Sequence, residues 1–290
     1  MKTFWIRTAS AVVYALLFLG TLLSGRLLGN PQVGLVLFGA FLLFVNAGCT
    51  FEFFRMVKTQ GARPSQVLGY VYTLVAMLLV LVIPLMNNPL LGFGMVFVAF
   101  ALFPICFALS AIVQLWKQSD QPFRDAAYTM VPLLYIGLPL SLMLGLVPDA
   151  GARVVLMLVV MVWVNDSGAY IGGSLFGKHK MWARHSPGKT WEGTAFGVLV
   201  TLLLAVFVGP WLQPAVAWYH WLVLGLICSV IDTLGDLVES VMKRHTGIKD
   251  SGSLIPGHGG VLDRFDSVLF TAPFVYYFAL LTGAAESILR

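Results

Sequence analysis

The sequence predicts an all-α, polytopic integral membrane protein: a helical bundle of about nine transmembrane helices with a cytoplasmic N-terminus. Three observations carry this. Of the 290 residues 59% are hydrophobic and only 11% charged, where an ordinary soluble domain carries about 25% charged residues. Apolar stretches of the roughly 20 residues that a bilayer core demands recur along nearly the whole chain. The basic residues collect in alternate connections, which fixes a direction of insertion.

Taken in order, with Pro, Asn-Asn and charge clusters as boundaries, the expected spans are 9–28, 32–51, 66–86, 90–116, 127–147, 153–176, 194–212, 216–238 and 264–284. Lys2 and Arg7 precede the first as they would a signal peptide. No small-residue cleavage site precedes the break at Gly29-Asn30-Pro31, so this stretch reads as a retained helix. The second and third spans are parted by Arg55, Lys58 and Arg63, the third and fourth by Asn87-Asn88-Pro89, and the fourth and fifth by Lys117 to Arg124. Longer polar connections follow the sixth span and the eighth.

With the N-terminus cytoplasmic, 15 of the 18 Lys and Arg residues fall on that side, and only Arg26, Arg153 and Arg290 on the other. The net charge of +5 therefore belongs to one face. Such a face attracts anionic headgroups and polyphosphates, and suits a membrane surface at least as well as nucleic acid. Cys49, Cys106 and Cys228 lie far apart in apolar stretches and read as core residues, not as a disulfide or zinc framework. The halves differ in kind. Residues 1–150 read as a scaffold of apolar spans with charges only in loops, and residues 151–290 as a catalytic region.

Four constellations in the second half can carry chemistry. Asn165-Asp166 follows about three turns of apolar helix, and an ionisable group at such depth usually faces a cavity or a partner. At the end of the eighth span Asp232, Asp236, Glu239, Ser240 and Lys243 point within about 100° of one another on a helix. Stacked carboxylates repel, and a divalent ion with oxygen ligands is the economical remedy. In the loop that follows, Lys243, Arg244, Lys249 and Arg264 can neutralise phosphate oxygens. Its Pro256–Gly260 stretch, with His258, Gly259 and Gly260, lets backbone N–H groups approach an anion, and Asp263 and Asp266 can hold Mg²⁺. Between the sixth and seventh spans, Ser186, Lys189 and Thr190 can donate to a second phosphate. Ala183 to Thr190 also spells a relaxed P-loop, rejected because no buried strand of an α/β domain precedes it.

From Ser240 to Asp266 the chain resembles the signature of the phosphatidate cytidylyltransferase (CDP-diglyceride synthase) family: S-x-hydrophobic-K-R-x4-K-D-x-small-x2-hydrophobic-P-x-H-G-G-hydrophobic-x-D-R-hydrophobic-D. Ser186-Pro-Gly-Lys-Thr-Trp-Glu192 and Asn165-Asp166 are similar to family features as well, so the resemblance is close over about 150–290. It implies the Mg²⁺-dependent conversion of CTP and phosphatidate into CDP-diacylglycerol and pyrophosphate, with K⁺ as an accompanying ion. It further implies that Asp236 and Asp263 ligate metal, and that Ser240 and Lys243 serve the phosphate site. Lys243, Asp263 and Ser240 are thus the expected catalytic residues. Asp166, Asp232, Asp266, Asp250 and Glu192 are expected in support. The expected partners are CTP, phosphatidate and membrane lipids, with no nucleic acid and with a homodimer as the assembly left open. The expected location is a bacterial-type inner membrane, with the active site facing the cytoplasm. Two alternatives differ in testable ways: a CTP-using polyprenol or phytol kinase, and an ion-coupled transporter built on Asp166 and Asp232. The family that transfers CDP-activated headgroups is disfavoured, because its D-G-x2-A-R-x8-G-x3-D-x3-D spacing is absent.

Overall fold

The computed structural model describes residues 2–85, 89–184, 186–214, 216–255 and 259–281. Nearly all of them are helical. The helices are α1 (Lys2–Leu27), α2 (Pro31–Lys58), α3 (Gln66–Leu85), α4 (Pro89–Lys117), α5 (Pro122–Pro132), α6 (Leu138–Ala150), α7 (Ala152–Phe176), α8 (Trp191–Leu212), α9 (Trp218–His245) and α10 (Leu262–Leu281). A π-helical turn, Leu133–Gly137, joins α5 to α6, so one continuous rod occupies the expected fifth span. Pro139 explains the turn: it cannot donate to the carbonyl four residues back, and its ring crowds that carbonyl. The register widens there, and the Leu138 N–H bonds to the Leu133 carbonyl instead.

Five of these rods are long and apolar enough to cross a membrane: Pro31–Lys58, Pro122–Pro148, Ala152–Phe176, Trp191–Leu212 and Trp218–His245. Shorter apolar helices occupy Val12–Leu27, Gln66–Val82 and Phe103–Lys117. In lipid a backbone must satisfy its own hydrogen bonds, and helices of this kind do so. Among the described residues, two short strands depart from the helical expectation. The connection after α7 forms a small antiparallel hairpin, β1 (Lys180–Trp182) with β2 (Ser186–Thr190).

The chain divides into two compact units, Met1–Gly145 with Thr246–Arg264, and Leu146–His245 with Phe265–Arg290. In the first, α1 and α2 meet at Gly25 and Gly34, and Phe18 sets its ring edge-on to Phe38 with centroids 5.8 Å apart. In the second, α8 presents small residues at every fourth position, Gly193, Gly197, Thr201, Ala205 and Gly209, all buried. The opposite face carries Leu199, Leu203, Phe207 and Trp211, all exposed. Helices in lipid gain little from burying apolar area against one another, so close packing of small residues is what joins them. A Cβ at Gly193 would stand 2.6 Å from the Ala169 carbonyl and 2.8 Å from the Gly173 backbone of α7. Gly193→Val is therefore expected to lower stability by about 3 kcal/mol through overpacking, read as an earlier thermal transition in detergent. An unchanged transition would contradict this packing.

Candidate functional site

In the second unit the chemistry gathers on the last turns of α9. Asp232 and Glu239 are completely buried, and Asp236 is half-buried. Spacings of three and four residues place them on the inner stripe, as the periodicity requires. Asp266, on the second turn of α10, joins them. Carboxylate oxygens of Asp236, Glu239 and Asp266 all lie within 4.8 Å of one another. At that distance each pair of ionised carboxylates repels by about 3 kcal/mol, even at a dielectric constant near 20.

Two lysines answer part of this charge. Lys243 Nζ stands 2.6 Å from Glu239 Oε2, one turn away on α9, with both side chains largely buried. Lys189 Nζ reaches Asp236 Oδ2 at 2.7 Å and donates to the Thr233 carbonyl at 3.3 Å. Ser240 Oγ donates to Asp236 Oδ1 at 3.4 Å. The Ser267 N–H donates to Asp266 Oδ1 at 2.7 Å. Glu239 Oε1 is buried without a well-aligned hydrogen-bond donor among the described residues.

The hairpin explains how Lys189 arrives. β2 is extended and paired with β1, so residues 186–190 form no phosphate-cradling nest, and a P-loop is excluded by conformation as well as by context. Thr190 ends the strand, is buried and caps α8 by accepting from the Gly193 N–H at 3.1 Å. Glu192, in the first turn of α8, accepts from the backbone N–H groups of Lys178 and His179 and pairs with His179 Nδ1 at 2.5 Å. Its part is to fasten the start of the hairpin to α8. Ser186 is half-buried on β2.

Deeper along α7, Asn165 is buried and its Nδ2 donates to Asp232 Oδ2 at 2.7 Å, to Thr233 Oγ1 at 3.3 Å and to the Ser229 carbonyl at 3.3 Å. One amide thus ties α7 to α9. Asp166 lies within electrostatic reach of Asp232, Asp236, Asp266 and Lys189. Five carboxylates therefore share this region with two lysines.

In the first unit two carboxylates hold Ser251 and residues 260–262. Asp263, at the start of α10, accepts from the Gly260 N–H at 2.9 Å and the Ser251 N–H at 3.0 Å. Glu52, near the end of α2, is fully buried and accepts from Ser251 Oγ at 2.9 Å, the Val261 N–H at 3.0 Å and the Leu262 N–H at 2.9 Å. Gly259 holds a φ of 87°, which only glycine adopts without strain. Its carbonyl accepts from the Ile255 N–H at 3.0 Å. Arg244, Lys249, Asp250 and Arg264 are exposed. His258, with Pro256 and Gly257, lies outside the described residues.

The structure corrects the sequence reading at two points. The first half does not confine its charges to loops: Glu52 is buried inside α2, which runs on to Lys58 beyond the expected end at residue 51. The longer polar connection expected after the sixth span is not irregular throughout: between α7 and α8 it forms a hairpin that delivers Lys189. A signal for Glu52 was present, since a carboxylate between Phe51 and Phe53-Phe54 is costly to bury without partners.

The donor set of Asp236, Glu239 and Asp266 fits a hard divalent cation: oxygen ligands only, mutually close, with one buried oxygen short of a donor. Comparison with known proteins gives the setting for this chemistry. The model of the cytidylyltransferase family matches residues 5–282. A phosphatidate cytidylyltransferase of Bacillus subtilis (strain 168) is 32% identical over 273 residues, covering 93% of this chain and 96% of that protein. One from Synechocystis sp. is 34% identical over 262 residues, 79% of this chain and 84% of its own. One from Staphylococcus saprophyticus is 41% identical over 151 residues, 52% of this chain and 58% of its own. The family match takes in both halves of the sequence, the bland one as well as the charged one, and the chain belongs to the cytidylyltransferase family.

Proposed function

We propose that this protein is a nucleotidyltransferase that makes CDP-diacylglycerol and pyrophosphate from CTP and phosphatidate. The observation that carries the chemistry is the close group of Asp236, Glu239 and Asp266 beside Lys189 and Lys243. A phosphate oxygen of phosphatidate attacks the α-phosphorus of CTP in line. A new P–O bond forms, the bond to the bridging α–β oxygen breaks, and pyrophosphate leaves with its electron pair. The nucleophile is already an anion, so no general base is needed. Repulsion between two phosphates sets the barrier, and the contribution of the chain is to clamp and orient them.

Lys243 and Lys189 hold carboxylates that a phosphate can replace, and Ser240 can turn its hydroxyl from Asp236 to a phosphate oxygen. Arg244, Lys249, Arg264, His258, Gly259, Gly260, Ser186 and Thr190 belong to the phosphate-binding set of this proposal. Mg²⁺ is assigned to Asp236 with Glu239 and Asp266, and the resemblance adds Asp263 as a ligand and K⁺ as a companion ion. When bound, Mg²⁺ would screen the two phosphates from one another and withdraw charge from the α-phosphorus. Asp166 and Asp232 shape the field around the site, and Asp250 and Glu192 complete the supporting carboxylates of this proposal. The placement of 15 of 18 basic residues on one side supports an inner-membrane protein whose site faces the cytoplasm, with acyl chains remaining in the bilayer.

The test uses purified protein, phosphatidate and CTP labelled at the α- or the γ-phosphate. Label is expected in lipid from α-labelled CTP only. A lipid product carrying γ-label would replace this reading with a kinase. In the same assay a chelator is expected to abolish turnover and added Mg²⁺ to restore it. Turnover indifferent to the chelator would remove the metal assignment.

A further inference from the structure

We propose that Glu52, in the half of the chain that reads as scaffold, is a positioning residue for the reaction: its carboxylate holds Ser251, Val261 and Leu262, and with them the neighbouring phosphate-binding groups, in place. This rests on the function proposed above, which assigns the neighbouring Lys249, Gly259, Gly260 and Arg264 to phosphates.

A carboxylate offers about four lone-pair directions. Three of those of Glu52 are taken by Ser251 Oγ, the Val261 N–H and the Leu262 N–H. Val261 and Leu262 stand at the entry to α10, where N–H groups have no acceptor within the helix. Glu52 supplies one from 210 positions away in the chain. Negative charge at a helix start is favourable in itself, and hydrogen bonds to a carboxylate are among the strong ones.

The glycines of the segment point to the same carboxylate. A Cβ at Gly252 would collide with Glu52 Oε1, and one at Gly260 with Ser251 Oγ and Glu52 Oε2. On α2 one turn before Glu52, a Cβ at Gly48 would press on Val261 at 3.2 Å. Three glycines thus leave room for one dock, with Glu52 at its centre and Asp263 holding Ser251 and Gly260 from the other side. Small displacements of groups that orient reacting phosphates are expensive in rate, about 100-fold for 1 Å.

Full-length Glu52→Gln is compared with wild type and Glu52→Asp in detergent, by turnover with CTP and phosphatidate and by amide hydrogen exchange without substrates. Expected for Glu52→Gln are a kcat about 100-fold lower, faster exchange at Val261 and Leu262, whose N–H groups donate to Glu52, and unchanged exchange in α7 to α9. Glu52→Asp, which keeps the acceptors, recovers at least part of the turnover. Wild-type turnover in Glu52→Gln overturns the proposal, as does lost turnover with those amides still protected. If Glu52→Gln does not fold, Ser251→Ala decides, since it removes one donor to the same carboxylate and strands no backbone N–H. A fall of about fivefold supports the role, and unchanged turnover overturns it. A wild-type protein that makes no CDP-linked lipid removes the proposed function instead, while the exchange measurement still reads the hold of Glu52 on the segment.

Discussion

Asp236→Asn is expected to lower kcat about 10³-fold while leaving the thermal transition almost where it was. Asp236 is the member of the acidic group that touches most of the machinery: Lys189 at 2.7 Å, Ser240 at 3.4 Å, and oxygens of Glu239 and Asp266 within 4.8 Å. Asparagine keeps the shape and one acceptor but loses the charge that attracts a cation and steers Lys189. Stability changes little because two effects oppose each other. The Lys189 ion pair weakens, and this partly exposed pair contributes about 1 kcal/mol. Repulsion from Glu239 and Asp266 is relieved at the same time. The measurements are steady-state turnover across a Mg²⁺ titration and a thermal melt on the same preparation. A variant within tenfold of wild type at all Mg²⁺ concentrations would take Asp236 out of the site.

Lys243→Met tests the buried pair from the other side. Glu239 is fully buried and Lys243 nearly so. Removing the ammonium leaves a carboxylate in the interior without its cation, a change that typically costs about 3 to 5 kcal/mol. Methionine preserves most of the stem's packing, so the loss is electrostatic. The second change, Glu239→Gln, removes the stranded charge. Lys243→Met with Glu239→Gln is therefore expected to regain most of the lost stability and none of the lost turnover, since both positions belong to the proposed site. Equal melting of the single and double variants would show that the ion pair does not set the stability.

How much of this was legible in the sequence depended on whether the signal was local. The spans at 66–86 and 153–176 coincide with α3 (Gln66–Leu85) and α7 (Ala152–Phe176) to within one residue, because a bilayer imposes a run of apolar residues and a polar stop. The face from Asp232 to Lys243 was legible because helical periodicity alone brings those side chains together. Asp266 could be named but not ranked: it stands one turn beyond Asp263, and only three-dimensional placement shows its oxygens grouped with those of Asp236 and Glu239. The hairpin left no trace, since Ser186-Pro-Gly-Lys-Thr190 has neither alternation nor β-branched runs. Glu52 stood out in the sequence only as a carboxylate among aromatic residues; its role stayed hidden because its donors are a hydroxyl and two backbone N–H groups from the far end of the chain, and backbone groups leave no mark in a sequence.

The dock of Ser251, Val261 and Leu262 on Glu52 of α2 also bears on where the chain can be cut. A truncated chain beginning near residue 150 would contain every motif recognised by eye, yet it would lack Glu52, and the N–H groups of Val261 and Leu262 would open α10 without their acceptor. The stretch that looks like a self-sufficient catalytic half is thus finished by a residue it does not contain. Exchange of modules between relatives has to move α2 and the 240–266 stretch together.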